Sequence, residues 1–331
     1  MDIYQDVIKE FKAQGYEVDF LKERQTNNDP LSARYEFFRP HFRIEKKKLN
    51  YWVRNLSSPA YNKVYDILFV IDGQGIHPVL FEILRKRNPQ IKCVNYLFDT
   101  TYGVYHFERN FDYFDRVFTF DLSESKRFNI GFLPIYWVEN SHSSGSMEHL
   151  SFFGMGAYNE DRYEVFSMLY DYSQKFNLHS YIKLYEKLQT KEWIYAIKCR
   201  VRKVLGLPAH LSLERYHSPI ISQQTISPQR FREMIFCSDV VIDTHPEHQD
   251  GLTARFMWAL GAGKKIVTTN ESITQYDFYT SQQVYVLKKG IDLSGNKEFE
   301  SFIDSTQPVP QHVRSVIDEY RIDNWLRTIC T

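Results

Sequence analysis

The strongest constraint on this chain is a rhythm. Short, β-branched, almost wholly apolar runs alternate with amphipathic stretches, and the pattern occurs twice. In the first half, strands are expected near Tyr16–Leu21, Tyr65–Ile71, Ile91–Phe98, Arg116–Phe120 and Phe132–Tyr136, with helices near 2–14, 41–55, 77–87 and 123–129. Runs that are apolar on both faces suit parallel strands covered by helices on both sides. The stretch Asn140-Ser-His-Ser-Ser-Gly-Ser-Met147 is small, polar and aperiodic, and reads as a linker. Beyond it come a strand at Leu150–Phe153, a glycine turn at Gly154-Met-Gly156 and a helix over 160–175. A strand at 179–184, a basic helix near 191–205 and a helix over 228–237 are expected next. Strand Val240–Asp243, helix 252–262, strands Lys265–Thr268 and Val284–Leu287, and a helix over 311–329 complete the reading. The expected architecture is α/β, with domains 1–140 and 141–310 and a helix over 311–331 crossing back to the first. Ligands would bind beyond the carboxyl ends of the strands, in a cleft between the domains. One feature departs from this scheme: such sheets normally open with a strand, and this sequence opens with a helix.

Composition removes several alternatives. The 331 residues carry 41 Lys+Arg and 41 Asp+Glu, so no global positive field marks a nucleic-acid binder. Cys93, Cys199, Cys237 and Cys330 are far apart, without a Cys/His cluster, which fits a reducing, cytoplasmic setting and predicts no structural metal. The first residues lack a signal-peptide core, and no apolar run approaches the ~18 residues of a bilayer span. Two segments are basic and aromatic: 39–54, and Lys191-Glu-Trp-Ile-Tyr-Ala-Ile-Lys-Cys-Arg-Val-Arg-Lys-Val-Leu205. Each reads either as a surface helix burying one stripe or as a helix resting on anionic lipid at the inner face of the cytoplasmic membrane.

The densest chemistry runs from Ser238 to Tyr279. A buried strand ends at Asp243, a polar loop follows, and Gly251-Leu252-Thr253 opens a helix. The first N–H groups of a helix are unpaired and partly positive, so this turn suits a diphosphate. Gly251 allows close backbone approach, Thr253 adds a hydroxyl, and Arg255 supplies a cationic fork matched to phosphate oxygens. A second strand brings Thr268, Thr269 and Asn270 to the same edge. The plainer reading is an ordinary strand–loop–helix–strand with a polar cap.

This stretch resembles the carboxyl-terminal domain of GT-B glycosyltransferases, specifically the bacterial group found in lipopolysaccharide and capsule clusters. The residues that carry the resemblance are Gln249, Gly251, Leu252, Thr253, Arg255, Ala259, Leu260, Gly263, Lys264, Lys265, Thr268, Thr269, Asn270 and Tyr276-Asp-Phe-Tyr279. Asn95-Tyr-Leu-Phe-Asp99, Tyr113–Asp121, Phe132–Tyr136 and Phe152-Phe-Gly-Met-Gly156 are similar to the same group, in the same order. The resemblance implies two Rossmann-like domains, a nucleotide-sugar donor on the second and a saccharide or lipid-linked saccharide acceptor on the first. It also implies transfer without a metal or other cofactor, the helix dipole and basic side chains taking the cation's place. His248, Gln249 and Asp250 would join the donor site, as would Gly154 and Gly156. Where many relatives place two acidic residues eight apart, this chain has Asp250 and Trp258, and an indole cannot accept ribose hydroxyls.

Three residues are candidates for acid–base chemistry. Asp99 ends a buried strand and reads as an acceptor-activating base or as a helix cap. Asp72 and His77, in Ile71-Asp-Gly-Gln-Gly-Ile-His77, read as contacts to substrate or as parts of a glycine-rich turn ahead of Pro78. His245 and His248 would bond a phosphate or lie solvated. Two other readings fit the same residues: a non-catalytic binding protein that keeps the fold, and a nucleotide-sugar epimerase.

Overall fold

The structure, a computed structural model, describes residues 3–23, 41–101, 107–139, 148–186, 192–204, 215, 217–245, 249–288 and 290–331. The chain forms two compact units: Met1–Tyr136 with Pro246–Leu252 and Glu319–Thr331, and Trp137–His245 with Thr253–Asp318. The linker-like stretch 140–147 lies outside the described residues.

In the first unit, helices α1 (Ile3–Ala13) and α2 (His41–Leu56) precede strand β1 (Ile67–Ile71). Helix α3 (Val79–Arg87), β2 (Lys92–Leu97), β3 (Arg116–Thr119), α4 (Leu122–Phe128) and β4 (Gly131–Phe132) follow. The four strands lie in the order β1-β2-β3-β4, all parallel. All of β2 after Lys92 is buried, as an inner strand with both faces covered should be. Leu80, Phe81 and Leu84 of α3 pack with Trp52 and Leu56 of α2, and the Trp52 indole N–H donates to the Gly75 carbonyl (2.8 Å).

The second unit contains β5 (Leu150–Ala157), α5 (Glu160–Lys175), β6 (Ser180–Tyr185), α6 (Glu192–Val204) and β7 (Ile221–Ser222). It continues with α7 (Pro228–Phe236), β8 (Ser238–Asp243), α8 (Ala254–Gly261), β9 (Lys265–Thr268), β10 (Val284–Val286), α9 (Lys297–Asp304) and α10 (Gln311–Glu319). Its parallel sheet has the order β10-β9-β8-β5-β6-β7. The chain therefore winds outward from β5 in one direction, returns to β8 beside it, and winds outward in the other. That reversal makes the carboxyl ends of β5 and β8 a switch point, where open α/β sheets leave a crevice for ligands. Every residue of α8 is buried. Gly261 at its end has to be glycine, because a Cβ there would lie 2.2 Å from the Trp137 ring.

Helix α11 (Ile322–Cys330) belongs to the first unit. Trp325 is fully buried there against Tyr96 (4.7 Å between ring centres) and Tyr136 (5.0 Å), and its indole N–H donates to the Pro134 carbonyl (3.0 Å).

The structure corrects several expected elements. The segment Tyr16–Leu21 forms no strand. It is held instead by side chains: Lys63 reaches Glu17 and Asp19 (3.2 Å each), and the Tyr65 hydroxyl donates to Asp19 (2.7 Å). Of Phe132–Tyr136 only Phe132 is in the sheet, beside Gly131. The helix expected over 311–329 breaks into α10 and α11, with Arg321 extended at the junction (φ −64°, ψ 143°). Strand β7 and helix α9 are additions to the sequence reading.

Candidate functional site

At the switch point the last residue of β8, Asp243, is 1 % exposed and meets two donors from α8. The Thr253 hydroxyl donates to it (2.7 Å), and so does the Arg255 Nε (3.0 Å). Thr253 also caps the helix, accepting from the Phe256 N–H (3.1 Å). Arg255, 6 % exposed, donates onward to the Met155 carbonyl of β5. A second guanidinium stands at the same edge: Arg162, in the first turn of α5, donates to Thr244 (2.7 Å) and to the Ala157 carbonyl. Burial, then repulsion from Arg255, pulls Arg162 down to about 10, with Asp243 opposing. It is still protonated at neutral pH, so among the described residues two guanidiniums flank the Asp243 carboxylate here, beside a helix amino terminus. Gly154 packs on Ile242 and Phe166, where a Cβ would come within 3.1–3.2 Å, and one on Gly156 would touch the Arg162 side chain (3.1 Å). Thr269 contacts the His245 ring (3.2 Å) at this edge. Thr268 and Asn270 are buried and serve the backbone, accepting from the N–H groups of Asn270 (3.1 Å) and Ser272 (2.9 Å) respectively. Trp258 is 1 % exposed, packed on Phe231 with the Arg232 guanidinium over its ring at 4.4 Å. Its position is core.

The loop before α8 is arranged differently from the expectation. The backbone N–H groups of Asp250 (2.8 Å) and Gly251 (2.9 Å) both donate to one carboxylate oxygen of Asp121, and Ser123 donates to the Asp250 side chain. Gly251 is tight against Phe120, whose ring a Cβ would meet at 2.5 Å. Gln249 donates to the Gly251 carbonyl (3.3 Å), and Leu252 is buried. His248 lies outside the described residues. Asp121, which also caps α4 by accepting from Glu124 N–H (3.0 Å), is the residue the sequence reading passed over. Its signal was the capping pattern Asp121-Leu-Ser-Glu124.

In the first unit, Asp72 follows β1 in the left-handed region (φ 58°), which Asp and Asn tolerate better than most residues. One of its oxygens accepts from the Phe98 (2.7 Å) and Asp99 (3.2 Å) N–H groups at the end of β2, which places the exposed Asp99 at the same edge. His77 turns inward on its own chain, its Nδ1 accepting from the Val79 N–H (3.1 Å). Beside β1 lies a cavity of about 540 Å³ with Trp52, Ile67, Phe69, Glu23 and Asp72 among its walls. Burial first, then the charges of Asp99 and Glu23, raises the Asp72 carboxyl to about 7, against the lowering effect of its two amide hydrogen bonds.

This shift has a stability consequence. Between the ordinary 3.8 and about 7, folded protein holds a proton that unfolded protein releases. Stability contributed by this group therefore falls as pH rises through that window and stays low above it. Asp72→Asn keeps the acceptor oxygen and the backbone geometry but removes the charge. The variant is expected to match the parent near pH 4 and to be about 2 kcal/mol more stable by pH 8, part of the full linkage value having been lost to relaxation. Denaturant titrations at the two pH values check this, and parallel pH profiles for the two proteins contradict it.

Among the described residues no group of three or more His, Cys, Asp or Glu is placed to hold a metal ion, and no helix is long and apolar enough to cross a membrane. No family model and no curated protein sequence matches the chain. Solved structures do. A trehalose-6-phosphate protein from E. coli, bound with UDP-2-fluoro glucose, aligns over 98 % of this chain and 84 % of its own, with a TM-score of 0.51 at 11 % identity. UDP-GlcNAc 2-epimerase from Neisseria meningitidis, bound to UDP-GlcNAc, covers 98 % and 87 % with a TM-score of 0.48 at 9 % identity. The α,α-trehalose 6-phosphate synthase of Burkholderia multivorans covers 91 % and 79 %, with a TM-score of 0.49 at 9 % identity. The fold is that of the GT-B group: two α/β units, each built on a parallel sheet.

Proposed function

We propose that this chain is a glycosyltransferase that binds a nucleotide sugar at the β5–β8 edge and passes the sugar to a saccharide or lipid-linked saccharide in bacterial surface-polysaccharide assembly. The observation that carries this reading is the pair Arg162 and Arg255 beside the buried carboxylate Asp243, at the switch point and beside the amino end of α8. A pyrophosphate there would complete the charge balance. The UDP-2-fluoro glucose bound to the E. coli neighbour makes UDP the first probe. Arg255 is committed to Asp243 and the Met155 carbonyl, so its part is to hold the edge positive and rigid. Arg162, half-buried at the rim, is the cation that would meet the phosphate. On the first unit, the cavity beside β1 would hold the acceptor. Asp99 would take the proton from its hydroxyl, with Asp72 fixing the Asp99 backbone. Charge at the leaving pyrophosphate is met by side chains and helix dipole, so transfer should persist in excess EDTA.

Calorimetry with UDP tests the donor site. Binding is expected to weaken at least tenfold in Arg162→Ala, as loss of a charge-assisted contact implies. Equal affinity in parent and variant removes the assignment. Donor alone, incubated without acceptor, should return unchanged; conversion of the sugar to its epimer would overturn transfer in favour of epimerisation. Binding without turnover across donors and acceptors would make the chain a binding protein.

A further inference from the structure

The two basic, aromatic segments have different fates. Helix α2 buries its apolar side: Trp52 and Leu56 are 6 % and 4 % exposed, in the core of the first unit. Helix α6 does not. Trp193 (62 % exposed), Ile197 (50 %), Val201 (51 %) and Val204 (86 %) all face solvent. At about 100° per residue these four positions fall within an arc of about 80°, a continuous stripe along the helix. Large apolar side chains exposed singly are ordinary; a stripe of four, one of them Trp, is not.

Charge selects the occupant. The stretch 191–204 contains Lys191, Lys198, Arg200, Arg202 and Lys203 against Glu192 alone, in a chain whose net charge is zero. On the helical wheel, position 200 lies about 20° beyond one edge of the stripe and position 198 about 60° beyond the other, with positions 203 and 202 further round on their respective sides. Arg200 is exposed. An apolar arc bordered by cations on both sides is the layout of a helix lying in the headgroup layer, where the apolar stripe enters the acyl boundary and the cations meet anionic headgroups. A protein groove would need acidic rims on both borders.

We infer that α6 docks the second unit onto an anionic lipid surface, Trp193, Ile197, Val201 and Val204 entering the bilayer interface and the flanking Lys and Arg residues reading its charge. This stands apart from the donor site, whose side chains lie on other elements, so UDP affinity measured in the same variants separates the two claims.

The test is flotation of the full-length protein with vesicles of phosphatidylcholine containing phosphatidylglycerol, beside vesicles of phosphatidylcholine alone. Binding to the anionic vesicles is expected, falling at least tenfold without phosphatidylglycerol or in high salt. Ile197→Glu with Val201→Glu should reduce it at least tenfold, as should Arg200→Glu with Lys203→Glu, while UDP affinity is unchanged. Ile197, Val201 and Arg200 are exposed, and an unaltered melting curve confirms that the variants fold. Equal flotation of parent and variants, or no flotation of the parent, overturns the inference. So does lipid-independent self-association that Ile197→Glu with Val201→Glu abolishes, which would assign the stripe to a second copy of the chain.

Discussion

Replacing Asp243 by Ala is expected to lower the melting temperature of the second unit by about 8–16 °C, from a loss of about 3–5 kcal/mol. The size follows from what stays behind. Asp243 is 1 % exposed and accepts from both Thr253 and Arg255. Without it, the hydrogen-bond partner that the 6 %-exposed Arg255 keeps among the described residues is the neutral Met155 carbonyl, and Arg255 already repels Arg162. Breaking one side of a buried pair strands the other charge, which costs more than the pair itself contributed. Asp243→Asn retains an acceptor and should lose less, about 2 kcal/mol. If the edge receives a pyrophosphate, saturating UDP should raise the melting temperature of the Ala variant more than that of the parent, because the nucleotide restores negative charge to the uncompensated cations. Scanning calorimetry with and without UDP reads both effects. A loss under 1 kcal/mol would show that Asp243 is no keystone of this edge.

The same residues show where sequence reading reaches and where it stops. The parallel layers were legible because inner strands such as Val240–Asp243 are almost wholly apolar, as strands covered on both faces are. Tyr16–Leu21 misled because Tyr, Val and Phe alternate with Glu and Asp, the pattern of a half-buried strand; a ladder also needs a partner, and Lys63 and Tyr65 satisfy this segment through side chains instead. The break between α10 and α11 carries no Gly or Pro, so helical spacing ran through it unmarked. Helix α9 did have a readable start: the Asn296 side chain accepts from the Phe299 N–H. At the site, the fork of Arg255 and the freedom of Gly251 looked suited to a phosphate. A sequence cannot say whether a guanidinium faces a ligand or the carboxylate twelve positions earlier, nor whether a glycine makes room for a pyrophosphate or for the ring of Phe120. Those are tertiary facts, decided by β8 ending beside α8 and by Asp121 reaching the 250–251 amides.

Asp99→Asn is expected to reduce sugar transfer by about 10²–10⁴-fold while leaving UDP affinity within twofold of the parent, the span general-base catalysis ordinarily contributes. Asp99 is exposed at the end of β2, and its backbone N–H is held by Asp72, so the substitution removes a proton acceptor without removing a core contact. Asp72→Asn supplies the contrast. It preserves the two amide hydrogen bonds and hence the placement of Asp99, but takes away a neighbouring group that changes charge near pH 7. Its transfer rate should stay within about tenfold of the parent at pH 8, and any inflection near pH 7 in the parent's pH–rate profile should be missing. Asp99→Asn should lose rate at every pH, since no carboxylate remains at that position to be ionised. Single-turnover rates for the three proteins across pH 5–9 separate these roles. Full activity in Asp99→Asn, with turnover lost instead in Asp72→Asn, would transfer the base to Asp72 and leave Asp99 as a substituent of the turn it occupies.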